Sequence, residues 1–314
     1  MSFDFSRIAE LSTARGKLVE LKNSAGRVIW AVKSNVPIIL EVEKITSDTY
    51  AAETTYTSEE FILLDIYPKT NGTVRVTYGG LTKTITDTSG AAEPNAQQVF
   101  FGTFNGVSDE VETPASGTLT IEGRCESFGC STFQPGSKSS NKGYSKCITA
   151  VNEWSGITKI VDYAFYGCAN LALTELPNSI TSIGDYAFNQ CSEISIGEIP
   201  EGVTEIGANA FWVGDTNSMP DTIILPSTLT YIGDRAFCSH STTQTAHSVV
   251  SNIIIHAIAP PTLGGGEAFG TYNQGETGDQ YFGPNKIVVP AGCGKAYKTA
   301  EYWSKYADYI TEAS

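Results

Sequence analysis

"TSIGDYAFNQC" occupies Thr181–Cys191. The same phrase stands 23 residues earlier as "TKIVDYAFYGC" (Thr158–Cys168) and 23 later as "TEIGANAFWVG" (Thr204–Gly214). A fourth copy, "TYIGDRAFCSH" (Thr230–His240), follows after 26 residues. Aligned with one another, the copies fall into columns. Ile160, Ile183, Ile206 and Ile232 share one; Ala164, Ala187, Ala210 and Ala236 another; Phe165, Phe188, Phe211 and Phe237 a third. Fixed apolar columns at a constant short period mark a solenoid, because one coil cannot bury its apolar side alone. Stacked coils bury a continuous ladder, in which the Ala is small so that the Phe of the same turn fits beside it.

Ahead of the later copies stand "LTELPNSI", "IGEIPEGV" and "IILPSTL", with Pro177, Pro200 and Pro226 in register. The combined phrase LPxxLTxIGxxAFxxC resembles the BspA-like leucine-rich repeat. The end of the chain, "IIIHAIAPPTL" and then "NKIVVPAGCGKAYKTAEYWSKYADYITEA", resembles that family's terminal unit. It implies a VP strand followed by an amphipathic helix, "AYKTAEYWSKYA". The resemblance covers residues 148–314. It implies a solenoid fold and an adhesive or scaffolding surface. A long insert (239–252) and a degenerate fifth copy, Ala268 and Phe269 after "GGGE", depart from the pattern.

The repeats fill half of a 314-residue chain. Residues 35–123 are Thr- and Tyr-rich, with short alternating runs: "IILEVEKIT", "AAETTYT", "EFILLDIY", "GTVRVTY", "LTKTITDT", "QQVFFGTF" and "GTLTIEG". Turn residues separate them, which predicts an immunoglobulin-like β-sandwich. Residues 124–147 are Gly/Ser/Lys-rich and read as an irregular linker that becomes the solenoid's cap. Residues 1–34 are an anchoring segment. "MSFDFSRIAELS" reads as a short amphipathic helix, with Phe3, Phe5, Arg7 and Ile8 as anchoring residues, and a β-hairpin follows across "NSAG". The fold class is therefore mainly β and multidomain.

The chain carries a formal net charge of −14. A surface that acidic disfavours nucleic acid and anionic membranes, and no apolar stretch approaches a membrane span. Residues 1–34 differ: six basic residues against three acidic ones give +3, leaving −17 for the rest. Such a segment suits an acidic partner. Its opening also resembles structural proteins of tailed bacteriophages, in which a short N-terminal segment precedes immunoglobulin-like or repeat domains. That resemblance implies a virion location, other virion structural proteins as partners, and a homo-oligomeric or multicopy assembly.

Little in the chain points to chemistry. Cys125, Cys130 and Cys147 lack a fourth ligand and the C-x2-C pairs of zinc sites, so they read as packing or as a disulfide between two of them. Without a secretion signal, free buried thiols are the expectation for the seven cysteines, and Cys168 and Cys191 fall in a repeat column. His240, His247 and His256 have no acid–base partner at telling spacing. "GDTNSMPD" (Gly214–Asp221) lacks the Gly and distal Glu of a calcium loop. "GGG" at 264–266 follows no phosphate-binding signature. No catalytic residue, metal or cofactor is expected. Glu175 and Glu198 occupy matching places on adjacent coils, at exposed strand positions.

A surface is the stronger expectation. Thr158, Thr181, Thr204 and Thr230 form an invariant polar column expected to hydrogen-bond along the stack. The next column varies: Lys159, Ser182, Glu205, Tyr231. A varying column beside a fixed one is solvent-facing and free to suit a ligand, so these four are the candidate binding residues. Trp154, Trp212 and Trp303 read as cap and core residues rather than sugar platforms. The function expected is a non-enzymatic virion component (tail, baseplate, head fibre or capsid decoration). It would display the solenoid towards a host-surface glycan or protein. A bacterial surface adhesin is the alternative, and a virion glycan-degrading enzyme the third reading.

Overall fold

The structure, a computed structural model, describes residues 8–14, 17–23, 28–31, 37–43, 45–46, 60–88, 96–104, 107–108, 116–130, 147–154, 156–213, 219–241, 250–275 and 278–314. Strands β1 (Ile8–Ala14), β2 (Lys17–Asn23) and β3 (Val28–Ala31) form an antiparallel sheet. The β2–β3 pair is the expected hairpin. The expected helix over residues 1–12 is corrected for its described part: from Ile8 the chain is a strand paired with β2. "IAELSTA" ends on Ser-Thr-Ala, with no helix stop signal, and its Leu11 lies opposite Leu21. Cross-strand pairing of this kind overrides a weak helical spacing. Phe3, Phe5 and Arg7 lie outside the described residues.

Ten strands follow: β4 (Ile38–Glu43), β5 (Ile45–Thr46), β6 (Glu60–Pro68), β7 (Thr73–Tyr78), β8 (Leu81–Thr86), β9 (Gln97–Phe104), β10 (Val107–Ser108), β11 (Ser116–Gly123), β12 (Cys125–Cys130) and β13 (Ile148–Glu153). They make two antiparallel sheets, ordered β13-β4-β11-β7-β8 and β10-β9-β6-β12, with β5 on β6. Alternation decides which side chains go inside. On β7, Val74, Val76 and Tyr78 are buried while Thr73 and Arg75 are exposed. The sheets face one another: Tyr78 of β7 lies 5.7 Å from Phe101 of β9, and Lys83 of β8 sits over the Phe100 ring at 4.0 Å. The expected strands therefore appear, except "AAETTYT", which lies outside the described residues.

The expected irregular linker at 124–147 is corrected in its first part. Residues 125–130 form β12, paired antiparallel with β6. The segment looked irregular because Gly129 and the neighbouring serines mask a strand. Gly129 is required: a Cβ there would lie 2.2 Å from the Ala164 carbonyl oxygen. At this point the two-sheet unit and the first repeat touch backbone to backbone. Phe128 of β12 meets Phe165 edge-on at 5.8 Å, with Trp154 6.0 Å from the same ring. Lys69 reaches Glu126 and the Gly156 carbonyl across the junction.

The repeats wind as a solenoid with parallel strands. β14 (Lys159–Ile160), β15 (Ser182–Ile183), β16 (Glu205–Ile206), β18 (Tyr231–Ile232) and β21 (Thr262–Leu263) stack in that order. β17 (Thr222–Leu225), β20 (Asn252–Ile255), β24 (Lys286–Val289) and β25 (Ile310–Glu312) form a second parallel sheet. β19 (Phe237–Ser241) runs from the fourth copy into the insert and pairs with β22 (Phe269–Gly275), which pairs in turn with β23 (Gly278–Phe282).

The Phe column is a stack of near-parallel rings. Centroid separations are 5.2 Å (165–188), 5.3 Å (188–211), 5.1 Å (211–237) and 5.9 Å (237–269). These lie in the range favoured by offset aromatic pairs. Burying each ring contributes on the order of 1.5–3 kcal/mol. The degenerate copy joins the stack through Phe269, and Leu263 fills the Ile column.

The far end is closed by aromatic side chains. The expected single helix is corrected. Helix α1 covers only Gly294–Thr299, Tyr302 turns left-handed at φ 60°, and a 3-10 turn follows at Trp303–Tyr306. On one continuous helix Tyr297 would point roughly 120° away from Trp303 and roughly 180° away from Tyr306. Breaking the helix lets all three face the core. Trp303 donates to the Pro261 carbonyl (2.7 Å), and the Tyr297 hydroxyl to that of Ala257 (2.7 Å). The Tyr306 hydroxyl accepts the Phe269 amide (3.2 Å).

Glu312 fastens this cap, accepting the amides of Gly292 (2.9 Å) and Gly294 (2.8 Å). Those amides lower its pKa from 4.5. A depressed carboxylate stabilises the fold above its unfolded pKa and loses that contribution as pH falls through the folded value. Melting temperature should therefore drop below about pH 4.5, and Glu312→Gln should flatten that part of the profile. An unchanged profile in Glu312→Gln would show that the cap does not depend on this carboxylate.

Candidate binding face of the repeat region

The strand sheet of the solenoid brings the four candidate residues side by side. Lys159 pairs with Ser182, Ser182 with Glu205, Glu205 with Tyr231, and Tyr231 with Thr262 in parallel register. Neighbouring strands lie about 4.8 Å apart, so the row crosses one residue per coil. Their chain neighbours Ile160, Ile183, Ile206 and Ile232 point inward and are buried. Tyr231 is 36% exposed and Glu205 is exposed; Lys159 and Ser182 are half-buried.

The Thr column beside them forms the expected ladder. Thr181 Oγ1 donates to the Thr158 carbonyl (3.1 Å), Thr204 Oγ1 to that of Thr181 (3.3 Å) and Thr230 Oγ1 to that of Thr204 (2.9 Å). The backbone amides follow the same path. The Thr181, Thr204 and Thr230 hydroxyls are satisfied by the backbone of the preceding coil, and that of Thr158 by Glu126 of β12 (3.5 Å), so this edge is fixed independently of what the next column carries.

Two aspartates not singled out in the sequence complete the face. Asp162 Oδ1 accepts the amide of Asp185 (2.8 Å), and Asp185 Oδ1 that of Ala208 (2.6 Å). Asp234 repeats the contact with Glu267 (3.2 Å). Their signal was in the phrase itself, since Asp precedes xAF in three of the four copies. Between the aspartates and the strand residues lies an open groove of about 360 Å3, whose lining includes Lys159, Ser182, Glu205, Tyr231, Asp162 and Asp185. Gly184 and Gly207 line it because the previous coil comes too close for a side chain. A Cβ on Gly207 would lie 2.4 Å from the Asp185 amide nitrogen. Beside the groove the Tyr163 and Tyr186 rings stack at 4.9 Å, within 3° of parallel.

The other residues weighed for chemistry lie elsewhere. Cys125 and Cys147 are free, buried thiols donating to the carbonyls of Ser127 (3.1 Å) and Leu63 (3.3 Å). Burial pushes the Cys125 and Cys238 thiols up to about 12, and raises Cys191 further. Such thiols stay protonated near neutrality and are poor nucleophiles. One expectation is corrected: Cys168 is not a free thiol but is disulfide-bonded. Among the described residues, no group of three or more His, Cys, Asp or Glu is placed to hold a metal ion.

His256 is exposed, as are Glu175 and Glu198. The side chain of His240, all of His247 and residues 214–218 of the "GDTNSMPD" loop lie outside the described residues. The triple glycine is a packing feature: Cβ atoms on Gly264 and Gly265 would strike the Tyr231 hydroxyl and Asp234. Trp303 is buried, and Trp154 and Trp212 are half-buried. Ile8, the last anchoring candidate, lies in β1.

Residues 118–255 match the BspA type leucine rich repeat region, in six copies. The match begins inside β11, ahead of the first repeat legible in the sequence. That agrees with the close packing of β12 on the first coil. A leucine-rich repeat protein from Bacteroides ovatus ATCC 8483 is similar over 52% of this chain and 70% of its own, at 13% identity and a TM-score of 0.17. A superposition that loose carries no further argument. None of the curated proteins matches the chain.

Proposed function

We propose that this chain, which carries a BspA-type leucine-rich repeat region, is a non-enzymatic surface component that binds a host-surface ligand through the strand face of its solenoid. The observation that carries this reading is the row Lys159–Ser182–Glu205–Tyr231. Four chemically different side chains stand in register between a Thr ladder that is bonded along the stack and a buried Ile column. Such a face can be retuned at little cost to stability.

The setting proposed is a bacteriophage virion. Three features support it: the N-terminal likeness to phage structural proteins, the +3 segment on an acidic chain, and the disulfide at Cys168. Disulfides persist in oxidising surroundings, virion and cell surfaces included. In this reading residues 1–34 attach to other virion proteins, in several copies, and the two antiparallel sheets are an immunoglobulin-like spacer. The spacer and solenoid meet through Phe128, Trp154 and Phe165, so the face is held in a set relation to the spacer.

The test is a double variant. Glu205→Lys with Tyr231→Ala should leave the melting temperature nearly unchanged, since surface substitutions usually stay within about 0.5 kcal/mol. Binding of the protein to host cells should weaken at least about tenfold, a loss of ~1.4 kcal/mol. Unaltered cell binding by the double variant would remove the strand face from recognition.

A further inference from the structure

The groove along that face has a composition that narrows its ligand. It runs across the coils, along the solenoid axis, because the same columns line it in each coil. From Lys159 to Tyr231 it spans four strands, roughly 14 Å at ~4.8 Å per strand. Acceptors outnumber donors: Asp162, Asp185 and Glu205 carry carboxylates, Ser182 a hydroxyl, and Lys159 alone supplies a cationic donor. The two aspartates are already held in place by amides of the following coil. Each has a second carboxylate oxygen to offer, so accepting a bond from a ligand costs little rotamer entropy. The accessible lining is mixed, somewhat more apolar than polar, but the Ile column contributes little of it. Ile160 and Ile183 are 2% exposed, leaving Tyr231 as the one exposed ring in the lining. Protein partners are usually anchored by side chains sunk into apolar pockets, and this lining has none.

We infer that the groove binds a neutral glycan laid along the solenoid axis, with about one sugar ring per coil. The inference rests on the binding-face reading above and names its ligand class. Sugar hydroxyls supply the donors that the carboxylates lack, and a sugar ring packs against Tyr231 through its apolar face. Acidic glycans are disfavoured by the groove carboxylates and by a chain of net charge −14. A cationic peptide is the competing occupant. It would be drawn by charge and released by salt, whereas hydroxyl-to-carboxylate bonds to a neutral ligand depend far less on ionic strength.

The experiment applies the full-length protein to immobilised neutral oligosaccharides of graded length, with dextran sulfate and poly-lysine as charged probes, at about 0.1 M and about 1 M salt. Binding should be confined to neutral oligosaccharides and survive high salt. Affinity should rise up to about four rings, one for each coil of the groove, and then level off. Asp185→Asn keeps an oxygen for the Ala208 amide, so the coil remains intact, yet it loses the carboxylate. It should melt like the parent and bind about tenfold more weakly. Salt-labile binding to poly-lysine, binding to dextran sulfate, or indifference of glycan binding to Asp185→Asn would each overturn the inference. If no oligosaccharide binds while host cells still do, and Glu205→Lys with Tyr231→Ala abolishes that cell binding, the face reading stands and the glycan class falls. If neither oligosaccharides nor cells bind, both fall.

Discussion

Phe188→Ala should destabilise the repeat region by about 3–5 kcal/mol, the range for removing a large buried ring. Phe188 is 0% exposed and lies between Phe165 and Phe211, so both neighbours lose a stacking face when it is removed. Ala187 and Ala210 flank the gap but are too small to fill it. In a solenoid each coil is held chiefly by its neighbours, and a weak coil uncouples the two sides. Thermal and urea melts should show a large fall in midpoint, with a broader or split transition. A variant that melts like the parent would mean that the Phe column does not hold the coils together.

Gly233→Ala should be as damaging, although it adds one methyl group. Its Cβ would lie 2.2 Å from the Ala208 amide nitrogen and 2.4 Å from the Gly207 carbonyl carbon. Both are backbone atoms, so relief requires the coils to part and strains the bond from the Gly233 amide to the Ile206 carbonyl (2.7 Å). Overpacking usually costs about 1–3 kcal/mol, and a clash with backbone belongs at or above the upper end. The first copy provides the control. It carries Val161 where later copies have Gly184, Gly207 and Gly233, and no earlier copy of the phrase lies beneath it. Val161→Gly should cost only about 1 kcal/mol, from backbone freedom and lost partial burial. Comparable urea midpoints for the two variants would contradict close coil contact as the reason for glycine.

These glycines show how far the sequence could be read. The Ile, Ala, Phe and Thr columns were legible because identical residues recur at a fixed period, and each holds the place that its column implies. The varying column was legible by contrast with them. The left-handed column was not: Tyr163, Tyr186, Asn209 and Arg235 share φ of 54–60° but no chemistry. What they share is the turn that aims the amides of the first three at the carbonyls of Asp185, Ala208 and Asp234. The caps were also hard to read, because each occurs once. Phe128 lies among glycines and serines, and its role depends on a strand pairing with β6 that no local pattern reports. At the other end "AYKTAEYWSKYA" reads as one amphipathic helix, while burying Tyr297 together with Trp303 and Tyr306 required the helix to stop. The disulfide at Cys168 was obscured because Cys191, its counterpart one coil on, donates to the Phe165 carbonyl and stays free. One column thus holds both chemistries.

The hydrogen bonds that join the coils run in two senses. Along the Thr column each amide points back: Thr181 to Thr158, Thr204 to Thr181, Thr230 to Thr204. Along the Phe column each points forward: Phe165 to Ala187, Phe188 to Ala210, Phe211 to Ala236, Phe237 to Ala268. The peptide dipoles of the two columns therefore oppose one another, and the stack builds up far less axial field than an α-helix of similar length, whose dipoles all align. Forward-pointing amides still leave one donor over at the last coil, where the Tyr306 hydroxyl meets Phe269. Inserting or deleting a whole coil would change the solenoid's length while leaving that electrical balance, and the demands on its caps, as they were. Copy number in such a protein is a variable that selection can alter in single steps.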